Sequence, residues 1–143
     1  MKCGPGSRRE RDGGMRAVDT DIVVRYLTSD DADQAARARR LLAREQVFVP
    51  LTVLLEAEWV LRSVYGFAAP QVIAALRGFA GLVHVVVESA ATAACALDWA
   101  EHELDFADAL HLAAARSHDG FASFDKALAR AARKVGAPAV AEP

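Results

Sequence analysis

Acidic side chains recur in this sequence where a strand should end and a helix begin. Arg16 to Val18 predict a short strand, with Asp19 and Thr20 as turn and cap and a helix opening on Ile22, Val23, Tyr26 and Leu27. Gly120 to Phe124 predict another strand, followed at once by Asp125 and a helix from Lys126 to Val135. Asp108 falls in the first turn of a helix that Asp105 is placed to cap, and Glu56 lies early in a strongly apolar helix. Capping alone explains Asp19, Asp105 or Asp108, because backbone N–H groups and the helix dipole favour negative charge there, and a rim-exposed side chain explains Glu56. Four carboxylates at related positions around one crevice, however, repel one another unless cations bind among them. Oxygen donors of this kind suit Mg²⁺ or Mn²⁺, hard ions that retain several waters.

The elements that must position these acids alternate along the chain. Ser29, Asp30 and Asp31 mark a turn and cap before a helix over Ala32 to Arg44, with Ala35, Ala38, Leu41 and Leu42 on one face. Arg37, Arg39, Arg40 and Arg44 are interleaved with that face and read chiefly as solvated surface. Val47 to Val49 predict a strand closed by Pro50, then a helix from Leu51 to Tyr65 offering Leu51, Leu54, Leu55, Trp59, Val60 and Val64 to the core. On that helix Glu56 is expected beside the buried face, in need of water, a base or a metal ion, while Glu58 points about 200° away from it. After a loop at Gly66 to Ala69, Pro70 to Ala80 predict a helix and Val83 to Val87 a buried parallel strand. Ser89 is placed to cap an Ala-rich helix reaching to about Glu103. Repeated strand-to-helix passages predict a parallel α/β sheet rather than a helical bundle, and in such a sheet the ligand crevice lies at the carboxyl ends of the strands.

Size and composition agree with one soluble domain. The 143 residues are 53% hydrophobic and 25% charged, enough to bury a core. Apolar runs are interrupted well before the ~18 residues of a membrane span, and no signal-peptide pattern is seen, so a cytoplasmic protein is expected. Cys3 and Cys95 cannot build a disulfide framework. Residues 1–14 are expected to be a disordered extension, leaving 15–143 as the domain. That extension holds four basic and two acidic groups, so the rest carries 13 basic and 17 acidic ones, a net −4. Such a body does not hold nucleic acid by bulk charge; bound cations and local arginine clusters would have to do so.

Val18 to Leu27 (VDTDIVVRYL), Leu54 to Leu61 (LLEAEWVL), Asp105 to Ala113 (DFADALHLA) and Ser123 to Leu128 (SFDKAL) together resemble the successive motifs of PIN-domain ribonucleases, in particular VapC-type toxins. The resemblance runs in order through Met15 to Pro143. It implies a PIN-like three-layer α/β/α domain, Mg²⁺-dependent hydrolysis of RNA phosphodiesters, and inhibition by a cognate VapB-type antitoxin; apolar residues expected at the surface of the early helices would serve a homodimer or the antitoxin groove. It carries Asp19, Glu56, Asp108 and Asp125 onto the family's acidic quartet, as catalytic and metal-holding groups. Asp105 stands beside them, and Ser123 keeps a hydroxyl where Thr is frequent. Asp21 occupies a position where the family commonly has Asn, adding a negative charge. Arg25, Arg62, Lys126 and Arg130 follow the acidic motifs and are candidates for the rim. His111 reads as a helix-face residue, and His84, His102 and His118 lack zinc-type spacing.

Two other readings share part of the pattern. Asp19-Thr20-Asp21-Ile22-Val23 also fits the first motif of haloacid dehalogenase-type phosphatases, in which Asp19 would be the nucleophile. That chemistry generally uses a lysine before the late acids, and no lysine lies between positions 17 and 125. The third reading is a PIN-like binding module in which the acids serve only as caps.

Overall fold

In the computed structural model, which describes residues 14–143, the centre of the sheet is β2 (Val47–Val49). It pairs in parallel with β1 (Arg16–Ala17) on one side and β3 (Val85–Val87) on the other. Two further strands, β4 (Phe121–Ala122) and β5 (Val140–Ala141), pair in parallel with each other as a separate two-stranded ribbon. Of the expected extension at 1–14, all but Gly14 lies outside the described residues.

Helices cover both faces of the sheet, giving three α/β/α layers. The passage from β1 leads into α1 (Thr20–Thr28) and α2 (Ala32–Arg44), and β2 leads into α3 (Leu51–Ser63) and α4 (Ala69–Ala80). From β3 the chain enters α5 (Ala90–Ala100) and α6 (Phe106–Ala114), and α7 (Lys126–Val135) joins β4 to β5. Local chemistry sets these limits. Asp31 caps α2 by accepting from the Gln34 N–H at 3.0 Å, and Gly136, in the left-handed region at φ 72°, ends α7. Val23, Val47, Val49, Leu54, Leu61, Leu76, Phe79 and Leu112 form the fully buried centre, each worth about 1.5–3 kcal/mol of burial.

The face of α3 differs from the expected one. Its buried stripe is Leu54, Ala57, Glu58 and Leu61, a regular i, i+3, i+4, i+7 pattern. Trp59 and Val64, expected in the core, are exposed, and the helix ends at Ser63 rather than Tyr65. Glu58, expected to point outward, is the buried acid at 5% exposure, whereas Glu56 is exposed. Glu58 survives burial because Arg62, one turn on, donates to its carboxylate from Nε at 2.8 Å.

Other boundaries also shift. The strand expected over Val83 to Val87 begins only at Val85; Val83 is 84% exposed and Val86 is also exposed, so only alternate residues of β3 are buried. Ser89 precedes α5 in the left-handed region and makes no side-chain cap bond, and that helix stops at Ala100, short of Glu103. The strand expected over Gly120 to Phe124 is confined to Phe121–Ala122, with Phe124 exposed. Gly120 itself has φ 132° and lies so close to the Ala139 carbonyl that a Cβ would stand 3.3 Å from that oxygen, so the entry to β4 suits glycine.

Candidate functional site

Three of the four matched acids sit where a helix begins, whereas Glu56 lies in the second turn of α3. Asp19 follows β1 and is the N-cap of α1, its Oδ1 accepting from the Thr20 N–H at 2.7 Å. Asp125 is the N-cap of α7 and accepts from the Leu128 N–H at 3.0 Å. Asp105 caps α6 by accepting from the N–H of Asp108, which itself lies in the first turn. In Asp19, Asp105 and Asp125 the cap bond to one carboxylate oxygen fixes the side chain and leaves the second oxygen outside that bond.

Asp19 and Glu56 meet in one open cleft of about 400 Å³, lined also by Thr20, Asp21, Val24, Arg25, Val60, Val64 and Tyr65. Within it the buried Thr20 hydroxyl donates to Glu56 Oε1 at 2.5 Å, tying α1 to α3. This bond explains how Glu56 is held despite its exposure. Nothing in the sequence spacing signals it, because it depends on how two helices pack.

Asp108 belongs to a second acidic group. Burial pushes its carboxyl above the ordinary carboxylate range, the negative charges of Asp105 and Asp125 push it further, and His111 pulls the other way. This places Asp105, Asp108 and Asp125 within electrostatic reach of one another. Ser123 accepts from the Asp125 N–H at 3.0 Å and so shapes the turn into α7.

The arginines proposed for the rim divide. Arg25 is held by Gln34, Asp30 and the Tyr65 hydroxyl, and Tyr65 in turn donates to Asp30 at 2.7 Å. That contact, with those from Thr28 and Arg25, holds Asp30 below its usual range. Arg62 is committed to Glu58, with Asp105 adding to the negative field around it. Lys126 and Arg130 remain exposed.

The donor set fits a hard divalent cation in one particular manner. Among the described residues no three His, Cys, Asp or Glu side chains form a group that could hold an ion by themselves. Mg²⁺ does not need such a cage: it is commonly held by one or two carboxylates, with water and substrate phosphate completing its six oxygens. The like-charge crowding at Asp108 is the kind of unfavourable field that a cation relieves.

Comparison with known proteins matches residues 16–134 to the PIN domain. No curated protein matches the chain.

Proposed function

The chain belongs to the PIN domain family, and from that membership we propose that it is a divalent-metal-dependent endoribonuclease, the toxin of a VapBC-type pair. The observation that carries the reading is the cleft in which α1 and α3 bring Asp19, Asp21 and Glu56 together, with the Thr20 hydroxyl bonded to Glu56. Asp19, Glu56, Asp108 and Asp125 are the residues that would hold Mg²⁺ or Mn²⁺. Held there, such an ion would supply Lewis acidity, making a water more acidic and offsetting charge on the departing oxygen of a phosphodiester.

The chain's own groups do the positioning. Asp19, fixed by its cap bond, keeps one oxygen free at the carboxyl end of β1. Thr20 orients Glu56, and Asp21, exposed beside them, adds a negative charge to the cleft. The proposed partners are an RNA substrate, a VapB-type antitoxin and a second copy of the chain, in the cytoplasm. No helix among the described residues is long and apolar enough to cross a membrane. Membership of the PIN family speaks against the aspartyl-phosphate chemistry of haloacid dehalogenases.

The test is cleavage of a mixed RNA pool by the full chain, free of antitoxin, with Mg²⁺, Mn²⁺ or EDTA. Cutting is expected with either metal and is expected to vanish with EDTA and in Asp19→Asn. A folded wild-type chain that never cuts would leave the binding-module reading in its place. The Thr20 bond makes a separate prediction. Thr20→Val should weaken Mg²⁺ binding by calorimetry, and cleavage with it, by about 10–100-fold, the usual cost of losing a group that orients a metal-binding side chain. Thr20→Ser should retain both; equal losses in Ser and Val would mean that packing, not the hydroxyl, matters.

A further inference from the structure

A second groove adjoins the acidic cleft. It is about 330 Å³, runs between α1 and α2 beside β1, and is lined by Arg16, Asp21, Ile22, Arg25, Gln34, Arg37, Ala38 and Leu41. Asp21 and Arg25 line both spaces, so the two adjoin at α1. Their charges are opposite. The cleft presents Asp19, Asp21 and Glu56 against Arg25 alone, whereas the groove presents Arg16, Arg25 and Arg37 against Asp21 alone. On a body whose net charge is −4, this is a local concentration of guanidinium groups placed directly beside the acids.

We propose that this groove seats the RNA strand next to the scissile bond, with Arg16 and Arg37 on its phosphates and Gln34 available to a base or sugar edge. The proposal rests on the ribonuclease reading and extends it from the chemistry to the path of the substrate. Arg16 and Arg37 are suited to the exchange. Each is paired with a carboxylate outside the groove lining, Glu45 at 2.6 Å and Asp33 at 3.7 Å. Their side chains are 66% and 67% exposed, so solvent screens these pairs and a phosphate can replace either carboxylate. A guanidinium offers a phosphate two parallel N–H groups, which a carboxylate-rich cleft cannot. Arg25 is held more firmly, by Asp30, Gln34 and Tyr65, and forms a fixed wall at the junction. The apolar residues of the groove, Ile22, Ala38 and Leu41, leave room for a ribose or base to pack rather than for a second layer of charge.

The experiment measures binding of a labelled single-stranded RNA oligomer by anisotropy over a series of salt concentrations. It uses the full chain with Asp19→Asn and Mg²⁺ present, so that bound RNA is not cut, and follows wild-type cleavage in parallel. Adding Arg16→Ala and Arg37→Ala together should weaken binding roughly tenfold and flatten the slope of log K against log salt by about 1.4, from ~0.7 per phosphate contact to a single strand. Arg16→Lys with Arg37→Lys should keep most of the slope, and an unchanged melting temperature in both pairs shows that folding is intact. A chain that cuts RNA but whose alanine pair binds with parental affinity and slope overturns the groove assignment alone, and leaves the groove to a protein partner. A wild-type chain that neither cuts nor binds RNA overturns the ribonuclease reading and the groove assignment with it.

Discussion

Asp108→Asn is expected to lower RNA cleavage about a thousandfold while making the metal-free chain harder to unfold. The first effect follows from the proposed role of Asp108 as an anionic metal donor, since metal-assisted stabilisation of the transition state is worth several kcal/mol. The second follows from the field around Asp108. Its carboxyl is held above the ordinary range by burial and by Asp105 and Asp125, so folding disfavours its ionised form. Such a group contributes stability at pH below the unfolded value and loses it as pH rises through the raised one. The helix dipole, which favours an acid in the first turn, acts against burial and repulsion and limits the gain. Melting curves in EDTA should therefore coincide for wild type and variant at the acidic end and separate as pH climbs past about 4. At neutral pH the variant should be ahead by about 1–3 °C, the scale of a relieved like-charge pair. A variant equally stable across the whole range would show that neither burial nor the neighbouring acids disfavour the ionised Asp108.

Phe79→Ala should be the most damaging single truncation of the core, at about 3–5 kcal/mol. Phe79 is 2% exposed on α4 and meets Tyr26 of α1 edge-on, with ring centroids 5.7 Å apart. The substitution removes a buried ring, opens a cavity between two helices, and forfeits an aromatic contact. For a domain of this size the melting temperature should fall by roughly 12–20 °C. Because α1 also carries Asp19 and Thr20 at its start, cleavage should become temperature-sensitive before the chain unfolds. Phe79→Leu, which refills much of the space, should recover most of the loss; denaturation showing a cost below 1 kcal/mol for the alanine variant would contradict this packing.

The elements best read from sequence are those in which several local signals coincide. For α2, an Asp cap, a regular apolar face and a polar surface agree, and Ala32–Arg44 was legible in full. The same holds for α7, between Asp125 and Gly136. Helix α3 was legible as a helix but not in its orientation. Apolar residues occupy most of its circumference, so bulk pointed to Trp59, while packing selected the small Ala57 and the ion-paired Glu58. Strand β5 is only two residues long and carries no periodicity of its own; pairing with β4 makes it a strand. At the candidate site the caps Asp19, Asp105 and Asp125 were visible as junction residues. The Thr20 to Glu56 bond was not, because its partners are 36 positions apart and meet only through helix packing.

The division of the strands into two hydrogen-bonded units has a thermodynamic consequence. Among the described residues β1, β2 and β3 form one ladder and β4 and β5 another, with Asp19 beside the first and Asp125 beside the second. Cohesion between the units rests on side chains such as Leu128 and Ala132 fitting the common core, not on a shared backbone ladder. The C-terminal ribbon and α7 can therefore open as a unit at a free energy below that of global unfolding. Any ligand gripped from both units adds its binding free energy to that seam, so the resistance of β4, α7 and β5 to exchange and proteolysis becomes a gauge of ligand concentration.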